Sequence, residues 1–251
     1  MKKNKVVFYA LFAVLLGVFA FSAYRVGSYF LEKRQSDKLM EEASQFVDMG
    51  GSQTDASGKD EGSGEEGDPE HVKVNFAALS AINDDIVAWI YCPNTQINYP
   101  IVQGNDNEYY LYRLLDGSWN ANGTIFMDYR NEADFTDGNT LIYGHHMKTG
   151  AMFADLMNYK SQSYYDAHPY IYIYTPNQNY RLDLFAATVV ESVSEIYSLQ
   201  PSESVLRQCI TNSTFDAALD YPTGRVVTLS TCTYEYDDAR YVVLGDLVPI
   251  A

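Results

Sequence analysis

Near the C-terminus, a cysteine and an arginine that are both suited to acyl transfer lie close together in the sequence. Cys232 ends a β-rich run that starts at Arg225, and eight residues later Arg240 opens a second run, 241–244. A thiolate forms at neutral pH when positive charge is nearby, and a tetrahedral acyl intermediate needs a donor for its oxyanion. The alternative is a buried strand cysteine, because an unmodified cysteine usually behaves as a small apolar residue.

A pair of histidines upstream supplies the base that thiol chemistry needs. Residues 139–143 read as a short strand, and Gly144, His145 and His146 follow it directly. Nucleophilic thiol catalysis requires a Cys and a His that are neighbours in the fold, even when they are far apart in the chain. A histidine and a cysteine that each end a strand are therefore a candidate catalytic pair.

Several segments resemble class B sortases, which are cysteine transpeptidases that attach secreted proteins to Gram-positive cell walls. The sequence TLSTC at 228–232 with Arg240, and IYGHHM at 142–147 upstream, carry the resemblance. It extends, in order and spacing, over residues 75–103, 107–111 and 124–131, so that it spans most of 72–251. Sortases place the catalytic imidazole directly after the glycine, which implies His145 as the base, with His146 as the alternative.

The resemblance also implies a mechanism and partners. Cys232 would attack a backbone carbonyl in a sorting signal, His145 would protonate the departing amine, and Arg240 would stabilise the oxyanion or hold the substrate backbone. An amino group of a peptidoglycan precursor would then resolve the thioester, without a cofactor. The implied groove residues are Leu111, Tyr143, Ser230, and Ile196 or Tyr197 on an inserted loop. The signal could be NPxTN-like or end in Thr-Gly.

Two other functions use the same residues differently. An anchored cysteine hydrolase would have the same dyad with water as acceptor, and a surface-binding barrel would not use the dyad at all.

A metal site is not expected, because adjacent histidines diverge and no further Cys/His spacing supports one. The chain has three cysteines, Cys92, Cys209 and Cys232, so at least one of them stays unpaired. We expect Cys92 and Cys209 to be two buried thiols, and a Cys92–Cys209 disulfide is the alternative.

The elements that must position these residues are mainly β-strands. Eight runs rich in branched and aromatic residues predict strands and, with turn residues between them, a closed β-barrel. The resemblance implies that it is the eight-stranded barrel of sortases, with peripheral helices. They cover 86–91, 97–102, 123–127, 140–143, 170–174, 180–188, 225–230 and 241–247. Helical patterns lie at 76–82, 152–159 and 202–210, the last between the sixth and seventh strands with Ser202 as a candidate N-cap. By resemblance, that inserted helix favours class B.

The N-terminus predicts a membrane anchor. Residues 6–24 carry no charge, and 19 residues of helix span about 28 Å, enough for the hydrocarbon core. Lys2, Lys3 and Lys5 precede this stretch, so the positive-inside rule predicts a cytoplasmic N-terminus and an extracellular catalytic domain. A cleavable signal peptide, cut near Ala20-Phe21-Ser22, is the alternative, although its apolar region would normally be shorter.

Charge divides the chain into three predicted parts. Residues 1–34, the cytoplasmic tip and anchor, carry six basic side chains and one acidic side chain. Residues 35–71, an acidic stalk, carry two basic and eleven acidic side chains, and residues 72–251, the catalytic domain, carry nine basic and 21 acidic side chains. The acidic balance of the last two parts argues against nucleic acid or anionic lipid as a partner. The Gly, Ser and acidic composition of 50–70 predicts a flexible spacer, and apolar spacing over 39–47 fits a continuation of the membrane helix as well as it fits a disordered stalk.

Overall fold

The computed structural model describes residues 2–49, 68–233 and 235–250. It contains two compact units, Met1–Lys38 and Leu39–Ala251. Helix α1 extends over Lys2–Ser44, and from Val7 onward it is long and apolar enough to cross a membrane. The predicted span at 6–24 falls within this helix, which is therefore a candidate membrane span.

Eight of the ten strands in the described residues close into a barrel. In chain order the strands are β1 Val47–Asp48, β2 Lys73–Val74, β3 Ile86–Tyr91, β4 Asn98–Val102, β5 Phe126–Met127, β6 Asn139–Tyr143, β7 Tyr170–Tyr174, β8 Asn179–Glu191, β9 Val226–Cys232 and β10 Ala239–Ile250. The barrel order is β10-β8-β7-β3-β4-β5-β6-β9, while β1 and β2 form a separate pair. The predicted eight-stranded barrel is confirmed.

Two of the barrel pairings are parallel. Strand β4 pairs with β5 in parallel, and β6 pairs with β9 in parallel, whereas all other neighbouring strands of the barrel are antiparallel. The β5 strand is shorter than the predicted 123–127, because Gly123 has φ of 59° and a turn conformation that favours glycine. A Cβ at Gly123 would also lie 2.5 Å from the carbonyl oxygen of Leu111. The segment before β5 is thus fixed as a turn against the 109–112 region.

Short helices cover the barrel. The described α-helices after α1 are α2 Phe76–Ser80, α3 Gln162–Ala167 and α4 Glu203–Thr211, and there are 3-10 helices at Pro69–His71, Tyr109–Tyr112, Ala154–Lys160 and Glu195–Tyr197. Helix α4 lies between the sixth and seventh barrel strands, as predicted. The pattern at 152–159 forms a 3-10 helix and not an α-helix. Ser202 is the N-cap of α4, but its hydroxyl hydrogen-bonds Ser204 and makes no capping bond.

Side chains of β9 alternate between the barrel interior and its outer surface. Val227 and Leu229 belong to the main interior cluster with Tyr241 and Val243. Val226 belongs to a second cluster, formed with α4 on the outside of the barrel. Because successive strand residues point to opposite faces, Ser230 and Cys232 share the outer face with Val226. The nucleophile candidate therefore faces outward and not into the core.

The segment that precedes the barrel packs against it. Ala43 is fully buried in a cluster that also contains Val72 and Leu79, and β1 pairs with β2 through Val47 and Val74. Of the two alternatives for 39–47, a continued helix and a disordered stalk, the helix is the one observed as far as Ser44. Most of the predicted spacer, 50–67, lies outside the described residues, and the division into anchor, stalk and catalytic domain stays a prediction.

Candidate active site

The parallel pairing of β6 with β9 brings the two predicted catalytic strand ends together. Tyr143 pairs with Ser230, and the Gly144 amide donates to the Ser230 carbonyl at 3.1 Å. His145 follows Tyr143 by two residues, and Cys232 follows Ser230 by two. In parallel strands about 4.8 Å apart, equal offsets from a paired position lie side by side. The register thus carries His145 and Cys232 to the same level at one end of the barrel.

Antiparallel pairing places the arginine beside the cysteine. Arg240 is the direct cross-strand partner of Cys232, and directly opposed residues have Cβ atoms about 5 Å apart on the same face. The turn that joins them contains Asp238 at φ of 61°, a left-handed conformation that Asp tolerates better than most residues. The Arg240 guanidinium is half-buried and donates to the carbonyl of Ala239 at 3.0 Å. Arg240 and Cys232 are therefore neighbours on one face of the β9–β10 pair, and both line the same cavity.

One cavity of about 450 Å³ collects these side chains. Cys232, His145 and Arg240 all line it. Its other lining residues are Asn107, Leu111, Phe126, Asp128, Arg130, Tyr143, Gly144, Ser192, Tyr197, Ser230 and Thr231. A thiol, an imidazole and a guanidinium on one concave surface are the groups that acyl transfer through a thioester requires.

A backbone carbonyl fixes the proton arrangement of His145. Its Nε2 lies 2.7 Å from the Leu111 carbonyl oxygen, which can only accept, so Nε2–H is the donor. Nδ1 is then the nitrogen left to exchange a proton with a substrate or thiol. The imidazole also lies beside the Tyr112 ring, with 5.9 Å between the ring centroids. His146 makes a β-bridge with Met152 and is not among the residues that line the cavity.

Four of the five predicted groove residues line the cavity. They are Leu111, Tyr143, Ser230 and Tyr197. The Tyr197 hydroxyl hydrogen-bonds the Ser230 hydroxyl at 2.9 Å, and the rings of Tyr197 and Tyr143 stack with 6.2 Å between their centroids. Burial raises the pKa of Tyr197 to about 12, so the hydroxyl remains protonated at neutral pH.

The structure does not bring Ile196 to the cavity. Its side chain is fully buried in the cluster under α4, and its carbonyl accepts from the Asn139 side chain at 2.8 Å. Adjacent residues of the 3-10 helix Glu195–Tyr197 point in different directions, because such a helix turns about 120° per residue. Tyr197 consequently lines the groove, while Ile196 anchors the inserted loop from below.

Sequence reasoning missed a buried carboxylate and the groups around it. Asp128 is fully buried beside the cavity, and its oxygens accept from Arg130 at 2.8 and 2.7 Å, from Tyr143 at 2.9 Å and from Asn107 at 2.9 Å. Burial acts to raise the pKa of Asp128, but these hydrogen bonds outweigh it and hold the pKa below its usual value. A charged residue directly after the apolar run 125–127 was the available signal.

The two other cysteines are buried in the domain and do not line the cavity. All three cysteines are described, and none is in a disulfide. Cys92 and Cys209 are both buried, and burial raises the pKa of the Cys209 thiol to about 11. Two buried thiols were expected, and the structure confirms them. Over residues 2–49, 68–233 and 235–250, no group of three His, Cys, Asp or Glu side chains could hold a metal ion.

Comparison with known proteins identifies the family. The family model described as "Sortase domain" matches residues 90–248. Sortase B of Listeria monocytogenes is 32% identical over 245 residues, which covers 94% of each chain. This chain belongs to the sortase family. Sortases are cysteine transpeptidases, and the chain is a class B member of the family, as the resemblance implied.

Solved sortase B structures agree with the fold. Sortase B from Bacillus anthracis, in complex with AAEK1, is 32% identical with a TM-score of 0.69, and the match covers 88% of this chain and 99% of that one. A Staphylococcus aureus sortase B–substrate complex is 31% identical with a TM-score of 0.65, covering 70% and 85%. The barrel of this chain therefore has the fold of solved sortase B structures.

Proposed function

We propose that Cys232 is the nucleophile of this sortase, that His145 is its acid and base, and that Arg240 stabilises the oxyanion. The observation that carries the proposal is the presence of these three side chains around one cavity, at the ends of β9, β6 and β10. Cys209 is a poor nucleophile by comparison, because burial raises the pKa of its thiol to about 11.

The proposed reaction has two steps that mirror each other. The Cys232 thiolate adds to a backbone carbonyl of the donor peptide, and the tetrahedral oxyanion accepts from the Arg240 guanidinium. Nδ1 of His145 carries the proton that the Cys232 thiol gave up on becoming a thiolate. The C–N bond breaks as Nδ1 gives this proton to the departing amine, which leaves a thioester. An incoming primary amine then gives its proton to His145 and displaces the thiolate, so one peptide bond replaces another and no energy source is needed.

The proposed donor is a secreted protein with a C-terminal sorting signal, and the proposed acceptor is an amine of a peptidoglycan precursor. Solved sortase B structures include a complex with substrate and a complex with triglycine, which supports a peptide donor and an amine acceptor here. Tyr143, Ser230 and Tyr197 line the cavity, so an extended peptide there would meet aromatic rings and hydroxyl groups.

We also propose the location of the enzyme. Residues 6–24 act as an uncleaved, single-pass anchor with the N-terminus in the cytoplasm, and the catalytic domain lies outside the cell membrane. The three lysines before the span and the apolar length of α1 support this orientation. Protease added to intact cells should release the domain by cutting within 50–70, whereas a mature protein that starts near Ala23 in the medium would show cleavage of a signal peptide.

The test of the activity uses soluble residues 39–251, because Ala43 packs in the cluster that contains Val72. Candidate signal peptides are incubated with the protein, with and without an amine acceptor, and the products are identified by mass spectrometry. A transpeptidation product supports the proposal, and it should be absent in Cys232→Ala. Cleavage that is independent of the acceptor would mean that the enzyme is a hydrolase, and no turnover with any signal would contradict the proposal.

A further inference from the structure

A single carboxylate joins several walls of the candidate groove. Asp128 follows β5 and is fully buried, which is costly for a charge unless it is paired and hydrogen-bonded. Its Oδ1 accepts from Arg130, and its Oδ2 accepts from Arg130, Tyr143 and Asn107, all within 2.9 Å. A carboxylate with this many donors holds each of them in a defined direction.

Each donor belongs to a different part of the groove. Tyr143 is the last residue of β6 and precedes Gly144 and His145. Asn107 begins the segment that ends at Leu111, whose carbonyl accepts from His145. Asp128 therefore joins the end of β6 to the 107–111 segment, and both contribute residues to the lining of the cavity.

Arg130 extends this connection to the inserted loop. Its guanidinium is bidentate on Asp128, and Nη2 also donates to the Tyr197 carbonyl at 3.2 Å. Its side chain is 42% exposed and lines the cavity. A guanidinium fixed along one edge presents its other edge in a constant orientation, which a flexible lysine would not do.

We propose that Asp128 is a positioning residue for the donor-peptide subsite, and that Arg130, fixed by it, contacts the bound peptide. The inference rests on the proposed function. Ser230 lies about 7 Å along β9 from Cys232, and the Asp128–Arg130 pair lies farther on, beyond Tyr143 and Tyr197. An extended peptide, at about 3.3–3.6 Å per residue, reaches the pair beyond the second residue from the scissile carbonyl. The pair acts on the acyl donor and not on the amine acceptor.

The kinetic test separates the two substrates. Asp128→Asn turns an acceptor toward Arg130 into a donor, and Arg130→Lys removes the fork but keeps the charge. We expect each to raise the donor-peptide KM by about tenfold or more, which is the effect of losing a charged hydrogen bond, while the KM for the amine changes less than about threefold. The rate at which iodoacetamide alkylates Cys232 should stay near that of the wild type.

An Arg–Asp pair on strand β8 gives the control. Arg181 is bidentate on Asp183 with the same spacing, and neither residue lines the cavity. Asp183→Asn should leave both KM values unchanged. If Asp128→Asn lowers only kcat, in proportion to a reduced active fraction or a lowered Tm, or if Arg130→Lys keeps the wild-type donor KM, the positioning role is refuted.

Binding without chemistry distinguishes this inference from the proposed function. In the Cys232→Ala background, Asp128→Asn should weaken the Kd for a fluorescent donor peptide about tenfold. An inactive wild type would count against the proposed function, and this Kd would still report on the subsite. An active wild type with an unchanged Kd in the double variant would overturn the inference alone.

Discussion

Gly144→Ala should lower both the stability and the activity of the protein, and the size of the loss can be worked out from the atoms that an added Cβ would meet. A Cβ at Gly144 would lie 2.7 and 2.8 Å from ring atoms of Phe153 and 3.2 Å from Cγ1 of Ile125. Carbon atoms pack at about 3.5–4.0 Å, so something must move by roughly 1 Å. Phe153 is fully buried, and overpacking of this kind costs about 1–3 kcal/mol.

Part of this strain should reach His145. If the backbone at Gly144 moves outward to make room, the imidazole moves with it, and a displacement of about 1 Å can cost about 10²-fold in rate. The assay is kcat/KM for soluble residues 39–251, measured beside Tm, which should fall by about 2–4 °C per kcal/mol at this size. Gly138→Ala is the control, because the three atoms nearest to its Cβ all belong to the movable end of the Gln200 side chain. Wild-type activity and Tm in Gly144→Ala, or equal losses in Gly138→Ala, would refute the reasoning.

Three further predictions concern the nucleophile, the oxyanion and the loop that follows the cysteine. Cys232→Ala should abolish the acyl-enzyme seen by mass spectrometry, whereas Cys209→Ala should retain it; a trapped thioester in the first variant would contradict the assignment. Arg240→Lys should lose about 10²–10³-fold in kcat/KM without a change in Tm, because lysine lacks the planar fork, and near-normal activity would leave only a role for charge. The Lys160 side chain lowers the pKa of Glu235 to about 2. The stabilisation from this exposed pair is therefore present above pH 4.5, worth at most about 1 kcal/mol, and lost as pH falls toward 2; melting curves of Glu235→Gln should differ from wild type at pH 7 and converge near pH 2.

The strands were predictable because their composition differs from that of the turns. The run 86–91 matches β3 at both ends, since its branched and aromatic residues favour a pleated, buried surface. Composition does not determine which strands pair. The parallel neighbours β6 and β9 are brought together by barrel closure, so sequence could predict that His145 and Cys232 end strands, but only the fold gives their common level.

The predictions that were wrong share a physical reason. Local sequence patterns do not show which way a side chain points or which backbone conformation the residue adopts. Apolar spacing at 152–159 fits a 3-10 helix as well as an α-helix, and Met152 adopts φ of 58°, which sequence does not signal for methionine. Ile196 and Tyr197 are adjacent, yet one is buried and the other lines the groove. Asp128 was recognisable only as a charge after an apolar strand, because its partners Tyr143 and Asn107 lie 15 and 21 residues away in the chain and nothing in the local sequence shows that they meet it.

The parallel contact between β6 and β9 also determines when the enzyme becomes reactive as it folds. The chain between Tyr143 and Ser230 includes β7, β8 and α4, so this contact closes a long loop, and contacts of high sequence separation form slowly. Until β9 docks against β6, the His145 imidazole does not have the Cys232 thiol as a neighbour, whereas the β9–β10 hairpin places Arg240 opposite Cys232 by a local contact. A nascent domain that emerges N-terminus first therefore brings His145 and Cys232 together only after β9 has emerged. Under the proposed assignment, the strand that closes the barrel also completes the candidate dyad.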